Sequence, residues 1–232
     1  MRYRNTVNRS PSTANHHPST INYLASMKAS GSPIRLAIFA SGRGSNAERI
    51  IDYFRQADHR INQRAVVVAL IVSNKPRAGV LDIALRENIP TLLIEKENFF
   101  RGSHYLDELR VHRIDFLVLA GFLWKIPPEL IRAYPDRIIN IHPALLPAYG
   151  GKGMYGQAVH EAVVNAKEKE SGITIHYVDE LYDHGKIILQ ARCSVSPEDN
   201  AVTLAQKIHA LEYEYYPPAI SEWIESKLSL NQ

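Results

Sequence analysis

Cysteine, long apolar runs and acidic residues at the amino end are all scarce in this sequence. Cys193 is the single cysteine among 232 residues, so an internal disulfide is excluded and no cysteine cluster can bind zinc. This predicts a reducing compartment, and we expect the cytoplasm. The longest apolar run, AVVVALIV at residues 65–72, is far shorter than the roughly 18 residues that a membrane-spanning helix needs. We therefore expect a soluble protein with no membrane association.

The first 32 residues differ in charge from the rest of the chain. They hold four of the 27 Lys and Arg residues and none of the 24 Asp and Glu residues, which leaves the remainder with a net charge of −1. A net charge this close to zero is not typical of a nucleic-acid-binding domain. Because the first segment is polar and lacks an apolar period, we predict a disordered tail over residues 1–32 and one domain over residues 33–232. A transit peptide and a true start at Met27 are the alternatives for the tail.

Strand and helix patterns alternate from residue 34 onward. Five runs, most of them apolar on both faces, predict a parallel sheet covered by helices on both sides: IRLAIFA, AVVVALIVSN, IPTLLIE, DFLVLAGF and RIINIH. The later runs SGITIHYVDE and KIILQARCSV are separated only by LYDHG, so they must pair antiparallel. A long helix at about residues 200–227 closes the chain. We predict a single Rossmann-like α/β domain with a mostly parallel sheet and an antiparallel C-terminal strand pair.

The stretch FASGRGSNAE carries a glycine-rich turn between the first strand and the first helix. Gly42, Gly44 and Ala47 match the G-x-G-x-x-G/A pattern, whose free N–H groups at a helix start favour a phosphate. The second strand ends in SNKP, without an acid for a ribose hydroxyl, so a dinucleotide is disfavoured. We predict a phosphate site. The alternative is a tight turn in which Ser45 or Asn46 only caps the helix.

Two polar side chains, Asn140 and His142, end the fifth predicted strand. Side chains two apart on a strand point to the same side, and ligands bind at the carboxyl ends of strands in open α/β sheets. An Asn amide can hold a developing oxyanion, and a His can move a proton near neutral pH. The alternative is a buried histidine bonded to backbone. A carboxylate partner would raise the pKa of His142 and orient its ring. Asp179, Glu180 and Asp183 are the candidates, and spacing does not choose among them.

Six motifs, in order over roughly residues 34–226, resemble those of the phosphoribosylglycinamide formyltransferases, which are folate-dependent enzymes: ASGRGSN, VSNKP, LAGFLWKI, INIHPALLP, DELYDHGKIILQ and LEYEYYP. The resemblance implies an enzyme of purine biosynthesis that transfers a formyl group from 10-formyltetrahydrofolate to the amine of glycinamide ribonucleotide, without a metal. It implies small-molecule partners and no nucleic acid. For the assembly we expect a monomer or a homodimer.

The resemblance also implies roles for individual residues. Asn140, His142 and Asp183 would be catalytic, with Asn140 and protonated His142 stabilising the oxyanion and Asp183 assisting proton transfer, which selects Asp183 from the three acids. The nucleotide and its phosphate would be bound by Gly44, Ser45, Asn46 and Glu212. The folate would be held by Leu123, Trp124, Lys125 and Ile126, together with Asn140. A folate-contacting arginine of the family aligns with Gly102, and we take the adjacent Arg101 as the candidate for that contact. The loop AYGGKGMYG departs from the family pattern.

Three other functions compete with this one. Methionyl-tRNA formyltransferases carry an additional C-terminal domain, and we expect none here because no basic extension follows Trp223. Hydrolases of formyltetrahydrofolate usually carry an N-terminal regulatory domain, and the first 32 residues are too short and polar for one. A non-catalytic module that binds folate or nucleotide would keep the glycine turn without needing Asn140, His142 and Asp183 together.

Overall fold

The computed structural model describes residues 31–56, 60–101 and 104–229. The predicted tail therefore lies outside the described residues, except for Gly31 and Ser32. The strands are β1 (Ile34–Phe39), β2 (Arg60–Ile61), β3 (Arg64–Ser73), β4 (Thr91–Leu93), β5 (Phe116–Leu119), β6 (Ile138–His142), β7 (Glu170–Tyr177) and β8 (Ile187–Ser194). The helices are α1 (Ser45–Arg55), α2 (Gly79–Arg86), α3 (Lys96–Phe100), α4 (His104–Val111), α5 (Pro128–Ala133), α6 (Gln157–Asn165) and α7 (Ala201–Ser229).

One mixed sheet forms the centre of the fold, in the order β2-β3-β1-β5-β6-β7-β8, with β4 paired to the end of β3. The pairs made by β1 with β3 and β5, by β3 with β4 and by β5 with β6 are parallel. The β6–β7 and β7–β8 pairs are antiparallel. The predicted sheet, with its antiparallel final pair, is confirmed. Because the chain extends from β1 first towards β3 and later towards β5, a crevice forms beside the end of β1, where ligands bind in such sheets.

Apolar side chains alternate along each central strand between two buried clusters. In β1, Ile34, Leu36 and Ile38 belong to one cluster, while Ala37 and Phe39 belong to the other. The first cluster packs beneath α1, α2, α6 and α7, and the second beneath α3, α4 and α5. This explains why the strands are apolar on both faces: each face is covered by helices.

The last helix is tied to the middle of the sheet by a buried tyrosine. Tyr216 on α7 is fully buried, and its hydroxyl donates a hydrogen bond of 2.8 Å to the carbonyl oxygen of Leu119 at the end of β5. Burial raises the pKa of Tyr216 well above its usual range, so the hydroxyl stays protonated and able to donate. Glu212 lies one turn earlier on the same face of α7. The contact therefore fixes the part of α7 that approaches the ends of the strands.

Candidate active site

The glycine-rich turn after β1 is shaped by its fit against α2. Gly44 has a φ of 86°, and a Cβ added there would lie 2.7 Å from the Cβ of Val80. Only glycine suits both the left-handed backbone and this close approach. Helix α1 begins at Ser45, and its N-cap makes no side-chain cap hydrogen bond. The structure therefore does not show the capping role considered for Ser45 and Asn46, and the first N–H groups of α1 remain available to a ligand.

A cleft of about 570 Å³ opens at the carboxyl ends of β1, β5 and β6. It is walled by the glycine turn, by residues 120–123 and 151–156, and by side chains from α6, α7 and the loop that follows β7. Eight predicted site residues line it: Gly44, Ser45, Asn46, Leu123, Asn140, His142, Asp183 and Glu212. The structure thus brings the predicted catalytic residues and the predicted nucleotide-binding residues to one cavity.

Four predicted folate-side residues do not line this cleft. Ile126 is buried in the second core cluster, and Lys125 is half-buried beside it. The ring of Trp124 packs against Phe99 and Phe100, with centroids 5.9 Å apart in each case. Arg101 is exposed just after α3, and Gly102 lies outside the described residues. Folate contacts by Trp124, Lys125, Ile126 and Arg101 stay predictions.

His142 is held between a backbone carbonyl and a carboxylate. Its Nε2 lies 2.8 Å from the carbonyl oxygen of Tyr149, which can only accept, so Nε2 carries the proton and donates. Its Nδ1 lies 3.5 Å from Oδ2 of Asp183. Burial lowers the pKa of His142, and this effect outweighs the opposite influence of the Asp183 charge. Asp183 thus raises the pKa of His142, as expected of an acidic partner, but the net shift is downward because His142 is only 3% exposed.

Asp183 is the acid that reaches the site. Its Oδ2 accepts a 2.9 Å hydrogen bond from the N–H of Gly151. Burial opposes its ionisation, but the nearby His176 and His142 rings and the Gly151 N–H together lower the pKa of Asp183, so it is ionised at neutral pH. Asp179 instead contacts the exposed His184 at 2.8 Å, and Glu180 is exposed and lies 4.0 Å from Arg132.

His176 is a site residue that the sequence analysis missed. Its Nδ1 lies 2.8 Å from the carbonyl oxygen of Tyr177, so in the neutral ring Nε2 is the acceptor. That Nε2 lies 3.1 Å from Nδ2 of Asn140, the residue opposite it in the β6–β7 pair. His176 therefore orients the Asn140 amide, leaving one of its two N–H groups with only a weak 3.5 Å contact to Asp183. The alternation in ITIHY marks a polar side of β7, but the register with β6 is not readable from it.

The opposite wall joins α1 to α7 through Glu212, which is 6% exposed. Its Oε2 accepts hydrogen bonds from Nδ2 of Asn46 at 3.0 Å and from Nδ1 of His209 at 2.9 Å. The bond to Glu212 raises the pKa of His209.

Arg43 and Lys75, both exposed, also line the cleft beside the glycine turn. The sequence analysis did not single out these two cations, although each follows the end of a strand.

Within residues 31–56, 60–101 and 104–229, no group of three or more His, Cys, Asp or Glu side chains could hold a metal ion. Across these same stretches of chain, no helix is both long and apolar enough to cross a membrane.

Comparisons with known proteins agree on one family. A family model described as formyl transferase matches residues 34–220. The phosphoribosylglycinamide formyltransferase of Bacillus subtilis (strain 168) is 36% identical over 192 residues, which cover 81% of this chain and 93% of that protein. The chloroplastic phosphoribosylglycinamide formyltransferase of Arabidopsis thaliana is 39% identical over 199 residues, or 84% of this chain, and the chain spans only 66% of that relative's length.

Solved structures agree with the sequence comparisons. The crystal structure of phosphoribosylglycinamide formyltransferase from Bacillus halodurans superposes with a TM-score of 0.71 at 38% identity, covering 81% of this chain and 94% of that one. This chain belongs to the formyl transferase family.

Proposed function

We propose that this chain transfers the formyl group of 10-formyltetrahydrofolate to the amine of glycinamide ribonucleotide; the relatives' name, phosphoribosylglycinamide formyltransferase, supports a formyl transfer to this acceptor. The observation that carries the proposal is the meeting of Asn140, His142 and Asp183 in a cleft that also contains the glycine turn. A binding module without chemistry has no need of that combination. A cytoplasmic location and a monomeric or homodimeric state stay predictions from the sequence.

The two ends of the cleft suit the two parts of a phosphorylated acceptor. The first N–H groups of α1, at Ser45 and Asn46, suit a phosphate, and Arg43 and Lys75 add positive charge nearby. The carboxylate of Glu212 can accept hydrogen bonds from ribose hydroxyls. A nucleotide held there directs its amine towards Asn140 and His142, and Leu123 lies on the folate side.

Proton transfer is the task that this geometry gives to His142. The reaction forms a bond between the acceptor nitrogen and the formyl carbon, breaks the bond from that carbon to folate, and moves one proton from the acceptor nitrogen to the folate nitrogen. Burial keeps His142 neutral, and its Nδ1 holds the lone pair because Nε2 donates to Tyr149. When Nδ1 takes the proton, Asp183 at 3.5 Å stabilises the imidazolium.

Charge stabilisation is the task of Asn140. The weakly engaged N–H of its side chain can donate to the formyl oxygen as negative charge develops there. His176 holds the amide in place and so avoids reorganisation during the reaction. Groups of these kinds typically contribute about 10²- to 10⁴-fold each.

An assay of tetrahydrofolate release, with and without glycinamide ribonucleotide, tests the proposal. Release that depends on the nucleotide supports it. Release at the same rate without the nucleotide identifies a hydrolase, and binding of either compound without release identifies a non-catalytic module. Either of those two outcomes overturns the proposal.

A further inference from the structure

His160 is a buried polar side chain of the cleft that the proposed mechanism does not use. It lies on α6, is 3% exposed and forms part of the cleft lining. Its Nδ1 is buried and has no hydrogen-bond partner. Leaving a ring nitrogen unpaired away from water costs free energy that an apolar ring of the same size would avoid. A side chain that served only to pack α6 would not need this nitrogen.

His160 has several titratable neighbours in the cleft. Burial lowers the pKa of His160. His209 and His142 lower this pKa further, whereas the charge of Glu212 raises it. His142, His209 and Glu212 line the same cleft as His160. The neutral ring has one N–H and one lone pair, so it can either donate to or accept from a ligand.

Asn46 also carries a buried polar atom that has no hydrogen-bond partner. Oδ1 of Asn46 is buried without a hydrogen-bond partner, while Nδ2 of the same side chain is occupied by Glu212. Asn46 and His160 both line the cleft. Two residues of the cleft lining therefore each carry a buried polar atom without a partner, which a ligand with hydrogen-bonding groups of its own would satisfy.

We propose that His160 binds the acceptor substrate through Nδ1, by a hydrogen bond to the polar segment that joins the ribose to the amine. In a glycinamide ribonucleotide this segment is an amide, which offers both an N–H donor and a carbonyl acceptor. The proposal rests on the proposed function, because it names a further contact to that acceptor. It makes His160 a determinant of nucleotide binding, with no contact to the folate.

Three variants test this contact. His160→Phe keeps a ring of similar size and removes both nitrogens, whereas His160→Asn places an amide group near the position of Nδ1. Glu161→Gln, on an exposed neighbour in α6, is the matched control. We expect His160→Phe to raise KM for glycinamide ribonucleotide about tenfold while KM for formyl-folate stays unchanged. The KM of His160→Asn for glycinamide ribonucleotide should stay within about threefold of the wild-type value, and that of Glu161→Gln should equal the wild-type value. A wild-type nucleotide KM in His160→Phe overturns the proposal.

A measurement on the unmodified protein covers the case in which His160→Phe does not fold. Histidine is labelled with an NMR-active nitrogen isotope, and the His160 Nδ1 signal is assigned by its absence in His160→Asn. The signal should move when glycinamide ribonucleotide is added and stay in place with inorganic phosphate alone. An unmoved signal at saturating nucleotide overturns the contact. Failure of the proposed function looks different, because wild-type protein would then show no nucleotide-dependent release of tetrahydrofolate.

Discussion

At the scale of single residues, burial and charge act on His142 in opposite directions. Burial disfavours the imidazolium, whereas Asp183 favours it, and burial prevails in the free protein. The result is a histidine that is neutral before the reaction and has a carboxylate in place to stabilise the charge it acquires. His176 does the corresponding work for Asn140 by fixing the direction of its amide.

The catalytic assignment predicts a loss of turnover without a loss of fold. His142→Ala removes the proton acceptor, and Asp183→Asn removes the charge that stabilises it, so each should lower kcat by about 10²- to 10⁴-fold. Steady-state kinetics checks the rate, and circular dichroism checks the fold. Glu180→Gln is the matched control, since this acid of the same loop is exposed and outside the cleft lining. Near-normal turnover in either site variant refutes the role given to that residue.

The pKa shifts predict that acid destabilises the folded state. His142 has a lowered pKa when folded, so below about pH 6.5 the unfolded chain binds more protons and the free energy of unfolding falls. The pKa of Asp183 is also lowered in the folded state. Asp183 therefore contributes stability that is lost at more acidic pH, when its folded-state carboxylate is protonated. Urea unfolding between about pH 7 and pH 5 should show a weaker pH dependence in His142→Gln than in wild type. If the free energy of unfolding depends equally on pH in the two proteins, the lowered pKa of His142 is contradicted.

At the scale of elements, the glycine turn depends on its contact with α2. The N–H of Val80 donates to the carbonyl oxygen of Gly42 at 3.2 Å, and Gly44 packs directly on the Val80 side chain. The direction of α1, and with it the N–H groups offered to a phosphate, follows from this packing.

Two alanine substitutions in this turn should therefore differ. Gly44→Ala introduces a Cβ 2.7 Å from Val80 at a φ of 86°, and we expect it to lower the free energy of unfolding by about 1–3 kcal/mol. Gly42→Ala places its Cβ in open space, with nothing within 4 Å, so its stability should stay close to wild type. Chemical denaturation measures both. Equal stability of the two variants would show that the turn tolerates a side chain at Gly44.

Elements with long, regular patterns were predictable, and short ones were not. The strands and helices that carry the sheet follow from apolar runs and helical periodicity, and α7 begins and ends close to its predicted limits. By contrast, β2 has two residues and α3 has five, too few for any period to show. Strand register is equally hidden, which is why the pairing of Asn140 with His176 came only from the structure.

At the scale of the whole molecule, the cleft is assembled from segments that are far apart in the sequence. The hydrogen bond between Asn46 and Glu212 spans 166 positions, and both residues line the same cleft as Asn140 and His142. Patterns along the chain predicted the phosphate turn and the polar strand end separately. The family resemblance joined them and selected Asp183. The balance between burial and charge at His142 required the packed structure, because burial is a property of the complete fold.

The most direct test of the account follows the formyl group itself. Formyltetrahydrofolate with an isotope-labelled formyl group is incubated with glycinamide ribonucleotide and the wild-type chain, and mass spectrometry then locates the label. The account predicts that the label is found on the nucleotide, and that Asp183→Asn transfers far less of it in the same time. Label recovered as free formate while nucleotide is present in excess would contradict the central claim.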